Sequence, residues 1–321
     1  MTLSIIDNNF HQIETKKLEV IANIQKFFEY ASKNNISLGY LRGSCFSNPI
    51  LRKLIKAEPF FLNLQFVDDI WLNSGLNFSI DVEFERGKEL INRFKDFKIF
   101  RLPMVDIINN TEELVGKKIP FEEYLDNSPE FLSLFKKANL DEVWGFDHLP
   151  AELTYENFFP NENLSSIDDA LNLYILKIMG NLDLLIEYHD RKNSFQKGNK
   201  DILTFLLEQN FGTLIYHEDI IKIIHHFTGW TLENCDQLRR NLKNKGDGGK
   251  DWEECSKIMG KEIASKVLNS VKKTFSKAHL YSTYTIIRKS LILRNFFEEP
   301  YFISKSTIEQ KFLVPWNYYE T

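Results

Sequence analysis

Only three cysteines occur in 321 residues, Cys45, Cys235 and Cys255, and no two of them form a C-x-x-C pair. That scarcity argues against a disulfide framework and a cysteine-built zinc site, and it fits a reducing compartment. Long apolar runs are missing as well. Stretches such as Leu171–Met179 are too short and too interrupted to span a bilayer, and the opening MTLSIIDNNFHQ has no basic-then-apolar signal pattern. The expectation is a cytoplasmic protein with no membrane partner. A histidine metal motif is missing too. His217, His225 and His226 fall on one expected helix, but the residue four after His217 is Ile221, so H-E-x-x-H is not formed. We read these histidines as structural, and no Ser-His-Asp or Cys-His nucleophile set can be assembled. Internal repeats are absent.

What remains is an ordinary globular composition, 43% apolar and 26% charged, long enough for two domains with cores of their own. The net charge of −5 argues against a general nucleic-acid coat, but the charge is unevenly placed. Asp236 to Arg294 carries 14 Lys or Arg against 6 Asp or Glu, a local +8, which leaves −13 for the rest. A basic lobe on an acidic body suits a protein that meets a polyanion at one face.

Apolar spacing predicts a helix over Lys16–Asn34, a short strand over Ile36–Leu41, and a helix over Asn48–Lys56 with Pro49 in its first turn. Asn77–Glu85 alternates Phe78, Ile80, Val82 and Phe84 with Ser79, Asp81, Glu83 and Glu85. That pattern predicts a half-buried strand with its polar set on one face. Helix resumes over Gly87–Phe94. The polar stretch Asn109–Asn127 is the best domain boundary. Beyond it helices are expected over Pro129–Ala138, Ser166–Lys177, Asp201–Gln209, Glu218–Phe227, Leu232–Asn241, Ser256–Phe275 and His279–Phe296, with Lys243–Lys250 as a flexible glycine loop.

Two constellations have the residue types for phosphate chemistry. Gly43-Ser44 leaves backbone N–H groups and a hydroxyl open to phosphate oxygens. Asp81 and Glu83, at i and i+2 on a strand, point the same way and can share divalent ions, as two-metal phosphoryl transfer requires. Later in the chain Arg239-Arg240, with Lys243 and Lys245, precede the glycine loop, and Lys277 and His279 follow it. Neighbouring arginines at a helix end can clamp a triphosphate.

In their order and spacing these pieces resemble the C-family DNA polymerases, the bacterial DNA polymerase III alpha subunit family. Phe211–Lys245, FGTLIYHEDIIKIIHHFTGWTLENCDQLRRNLKNK, is similar without a gap to the family's fingers segment, Y-G-x-x-x-Y-Q-E-Q-V-M followed by G-Y/F-x-L-x-x-A-D-x-L-R-R-A-M-G-K-K. Phe275–His279, FSKAH, is similar to F-N-K-S-H, and Glu299–Phe302 lies near the place of H-Y-P-A-E-F. Upstream, Ala31–Asn48 resembles A-K-x-N-G-I-x-V-G-x-G-R-G-S-A-A-G-S. Asn77–Phe84 resembles the catalytic strand M-P-D-I-D-x-D-F, Glu142–His148 resembles G-V-F-Q-x-E-S, and Tyr188–Lys192 resembles F-I-x-R-K.

The resemblance implies a helix-rich α+β fold, with a small polymerase-beta-like nucleotidyltransferase palm remnant followed by a helical fingers domain. It divides the chain into 1–125, 126–302 and a tail, 303–321. It implies Gly43, Ser44, Arg239, Arg240, Lys245, Lys277 and His279 as the nucleotide- or DNA-facing set. Asp81, Glu83 and Asp96 would be the catalytic carboxylates, with Asp81 and Glu83 on Mg²⁺ or Mn²⁺ if the site is active.

Departures from the family pattern are equally clear. Ser79 stands at the first strand carboxylate, and the third falls on either Asp96 or an arginine, Arg101. The long thumb insert is nearly absent, Ile178–Asn181 replaces R-P-G-P, and His217 replaces the first Gln of Y-Q-E-Q. The length leaves no room for the family's phosphoesterase, clamp-binding or oligonucleotide-binding parts. Three functions follow as expectations. The first is a degenerate, non-processive polymerase module that binds nucleic acid or a nucleoside triphosphate, with a protein partner that could complete the thumb. The second is a minimal metal-dependent nucleotidyltransferase that extends a DNA 3′ end. The third is a helical interaction module unrelated to polymerases.

Overall fold

The computed structural model describes residues 15–45, 78–124, 128–135, 140–146, 163–246 and 248–315. The expected helix Asn48–Lys56, His148 and residues 316–321 lie outside them. Helix α1, Thr15–Lys33, buries Ile21, Ile24, Phe27 and Ala31 at helical spacing and stops where Asn35 takes a left-handed turn. Three short strands follow: β1 Leu38–Leu41, β2 Ser79–Val82 and β3 Lys98–Arg101. β2 is central, antiparallel to β1 and parallel to β3, and helix α2, Gly87–Arg93, makes the crossover between the parallel pair.

Ile80 and Val82 are fully buried, as the alternation predicts, but Asp81 between them is buried too, at 1% exposure. The reason is cover on both faces of the central strand. Phe27 of α1 packs edge-on to Phe78, while helix α3, Pro103–Val115, closes on the other side. A Cβ on Gly39 would lie 2.8 Å from Asp81 Cβ and 2.8 Å from Val105 Cγ2 of α3, so glycine is what permits that approach. Helix α3 also runs through the first half of the polar stretch Asn109–Asn127 and ends at left-handed Gly116.

The rest is helical: α4 Pro129–Leu134, α5 Ile167–Ile178, α6 Leu182–Gln196, α7 Ile202–Leu206, α8 His217–Thr228 and α9 Leu232–Lys245. After these come α10 Gly249–Met259, α11 Lys261–Ser270, α12 Lys277–Phe296 and α13 Glu298–Phe312. Side-chain caps open many of these helices, with Ser166, Asn181, Asp201, Thr231 and Ser276 each accepting a first-turn N–H. α9 runs one turn further than expected, which puts Lys243 and Lys245 on a helix and shrinks the glycine loop to residues 246–248. The single helix expected over Ser256–Phe275 breaks at Gly260, whose φ of 78° and ψ of 157° no helix can hold. Residues 303–312 continue α13, because Pro300 sits in its first turn, where no N–H is needed.

Two clusters of buried apolar side chains organise the described residues. The first joins α1, the sheet, α3, α5, α12 and α13, and reaches from Ile24 to Ile308. The second joins α7 to α11 and ends at Ala278. A buried polar spine links α5, α6 and the strand-like segment before α8. Lys192 Nζ lies 2.6 Å from Asp169, Tyr188 donates to Asp169 at 2.8 Å, and Tyr216 donates to Asn172 at 2.6 Å. Among the described residues no helix is long and apolar enough to cross a membrane.

Candidate functional site

Asp81 sits at the centre of the sheet. Arg42, just after β1, donates from Nε to its Oδ1 at 2.5 Å. The guanidinium also lies over the ring of Phe100, 4.2 Å from its centroid, and Phe100 is the β3 residue paired with Asp81. Burial raises the Asp81 carboxyl to about 6, against the opposing pull of Arg42, and its Oδ2 is buried with no hydrogen-bond partner. Gly43 follows Arg42 in a short 3₁₀ turn with φ 56°, and its N–H points to Ser282 Oγ of α12 at 3.4 Å. Ser44 shares that turn; its side chain is outside the described part.

The other expected carboxylates lie elsewhere. Glu83 is past the end of β2, and its charge acts on Asp106 of α3. Asp106 is raised to about 7 by burial first, with Glu83 adding to the rise, while it accepts the Phe84 N–H at 2.6 Å. Asp96 is exposed in the turn before β3, four residues ahead of Phe100. Arg101 is buried against Phe84, donating to its carbonyl at 2.6 Å and stacking on its ring. Phe100 therefore faces Asp81, not Asp96 or Arg101. A two-metal centre needs carboxylates that converge on ions about 4 Å apart. Among the described residues no group of three or more His, Cys, Asp or Glu could hold a metal ion. Among the described residues, the carboxylates expected from the resemblance are not grouped as a two-metal centre.

The helical side approaches the same place through the start of α12. Glu218 of α8 accepts the N–H groups of Lys277 at 2.9 Å and Ala278 at 3.2 Å, so an anion from one helix caps the positive end of another. His279 lies against the Phe275 ring, and burial, then the charge of Arg42, lowers its basicity. Lys277 is engaged elsewhere. It is buried, donates to Gln209 at 2.7 Å, stands 3.8 Å from Asp168, and lines a cavity of about 260 Å³ with Glu208, Asp219 and Lys222.

At the far end of this ridge Asp236 holds both arginines. Arg239 Nη2 is 2.6 Å away and buried, and Arg240 Nε is 2.7 Å away with its side chain 51% exposed. Lys243 reaches His217 Nε2 at 3.4 Å, and Lys245 is exposed in the last turn of α9. His217 Nδ1 is 2.8 Å from Thr274 Oγ1, which itself donates to the Val271 carbonyl. The imidazole must then donate from Nδ1 and present the Nε2 lone pair to Lys243. Burial, with Arg239 and Lys243 beside it, lowers His217 to about 3, so the ring is neutral.

Phe275 joins the two ends. Its carbonyl accepts the His217 N–H at 2.7 Å, and its ring meets His279. Arg42, His279, Phe275, His217, Lys243 and Arg239 thus form one ridge. Gly43, Asp81 and His279 come together at one end and Arg239 and Arg240 at the other, while Lys277 and Asp96 belong to neither. Sequence reasoning missed Arg42, although it stands beside Gly43 in the R-G-S stretch, and it placed no role on His217.

The sequence itself is similar to that of known proteins. DNA polymerase III subunit alpha of Rickettsia prowazekii (strain Madrid E) is 26% identical over 195 residues, 59% of this chain and 16% of that protein. This chain therefore spans under a fifth of that relative's length. The finger domain of the bacterial DNA polymerase III alpha subunit matches residues 104–264, just over half of the chain, from the start of α3 into α11. The chain belongs to the bacterial DNA polymerase III alpha subunit finger domain family.

Proposed function

We propose that this protein is a polymerase-derived binding module, in which a palm remnant and helical fingers hold DNA or a nucleoside triphosphate without transferring nucleotides. The observation that carries this reading is the set Arg42, Asp81 and Phe100. A buried carboxylate paired with a partly exposed arginine, beside a phenyl ring on the neighbouring strand, supports a site without the converging carboxylates that phosphoryl transfer needs. Ser79 at the first strand carboxylate supports the same conclusion. Retained binding is supported by the ridge from Arg42 to Arg240, which lies at the basic lobe of an otherwise acidic chain.

Extension of a labelled primer–template with each dNTP and Mg²⁺ or Mn²⁺ tests the absence of chemistry, and fluorescence anisotropy of the same DNA tests binding. The expected result is no extension, with binding that weakens as salt rises. Extension that disappears in Asp81→Ala would overturn the proposal in favour of a minimal nucleotidyltransferase.

A further inference from the structure

We infer that Arg42 is the built-in cation of the polyphosphate site, so that this protein binds polyphosphate without any divalent metal. The inference rests on the binding reading above and adds what the site uses for charge. A two-metal palm takes its positive charge from ions recruited from solution, held by carboxylates. Here the charge is covalently attached and fixed in place. Arg42 Nε is bound to Asp81 Oδ1 at 2.5 Å, and its plane lies over Phe100. Both contacts restrict the side chain, and a planar fork held in place loses less freedom when it meets a phosphate. Arg42 keeps 17% side-chain exposure while Asp81 is 1% exposed, so the cationic partner is the one that reaches solvent.

The surroundings agree. Directly after Arg42 comes the Gly43 turn, where an added Cβ would meet no atom within 4 Å, so the space beside the backbone is open. Helix α12 reaches the same turn through Ser282, whose Oγ lies 3.4 Å from the Gly43 N–H. Asp81 is then a positioning residue: it orients Arg42 and has no metal to hold. Its role as counter-ion makes a specific demand. Removing its charge leaves Arg42 with more unspent charge for an incoming anion, whereas removing a metal ligand would abolish binding.

The test is calorimetric titration of dATP, with a short single-stranded oligonucleotide in parallel, in Mg²⁺ and in excess EDTA. The expected affinity differs by no more than about twofold between the two conditions. Arg42→Ala is expected to weaken dATP binding at least about tenfold, as loss of a charge-assisted contact would. Asp81→Asn should tighten binding in EDTA. Because Arg42→Ala strands a buried carboxylate and could unfold the sheet, the double variant Arg42→Met/Asp81→Asn, checked by circular dichroism, is titrated as well and should also bind weakly. Binding that vanishes in EDTA, or in Asp81→Asn with Mg²⁺ present, overturns the inference and leaves the binding function standing. No binding of dATP or DNA under either condition overturns both.

Discussion

Asp169 and Lys192 meet at 2.6 Å with both side chains almost closed off from water, and Tyr188 adds its hydroxyl to the same carboxylate. A buried pair of this kind contributes little against an apolar substitute, but breaking it from one side is costly, since the remaining charge has no solvent to turn to. Lys192→Met is therefore expected to lower unfolding free energy by about 3–5 kcal/mol in urea titration, with part of the loss recovered in Lys192→Met/Asp169→Asn. His217 makes a separate prediction. Its folded-state value, about 3, lies below the ordinary value of 6.5, so the unfolded chain takes up the proton first as pH falls. Stability from this group is present above pH 6.5 and lost progressively towards pH 3. His217→Gln, which restores the family's residue, should make the acid limb of the pH–stability curve shallower in that window. Motifs in the sequence named individual candidates, as with Gly43 and Arg239. The Arg42–Asp81 pair was not, because its partners are 39 positions apart and only strand pairing brings Phe100 beside them.

At the scale of elements, apolar spacing located α1, α5, α8 and α12 within a few residues, because each buries a continuous stripe. It failed where local residues carry two meanings. Gly260 sits inside a helical pattern and could have been tolerated there, yet its backbone is in a region essentially reserved for glycine and separates α10 from α11. Gly260→Ala should lower stability by about 1–3 kcal/mol. The cost is purely conformational, since a Cβ there meets no atom within 4 Å. If thermal unfolding shows no loss, the break is not enforced by this glycine. The tail expected over 303–321 misled in the opposite direction, because Pro300 just before it sits in the first turn of a helix that runs on to Phe312. The end of α3 from Asn109 on read as a boundary, since its buried Thr111 stands among half-buried Asn109, Asn110 and Glu112 and no aliphatic residue marks the buried face there until exposed Leu114.

For the whole molecule, the charge asymmetry visible in the sequence acquires a location. The basic stretch Asp236–Arg294 covers most of α9 to α12, and these helices supply the ridge members His279, Lys243, Arg239 and Arg240. The salt dependence expected of DNA binding originates there, since each phosphate neutralised releases counter-ions and steepens the fall of affinity with salt. Exposed Arg240 and Lys245 would set that slope, whereas Arg239, already satisfied by Asp236, would add little. The helix-rich α+β class came from the family resemblance, and the helical spacing and the one alternating strand, Asn77–Glu85, agree with it. How the two clusters interlock was not, because it depends on long-range contacts such as Glu218 with the start of α12, roughly sixty positions apart in the chain.

The Phe275 backbone pairs with Ile215 through one hydrogen bond and with His217 through another, at 3.0 and 2.7 Å. The segment from α8 to α11 therefore begins and ends at two adjacent anchors, while its core is shared with α7 and Ala278. Loop-closure cost grows only with the logarithm of length, so such a segment can be lengthened, trimmed or exchanged while its anchors stay put. The bond pair at Phe275 is thus a natural splice point, where one helical lobe could be traded for another without redrawing the sheet beneath it.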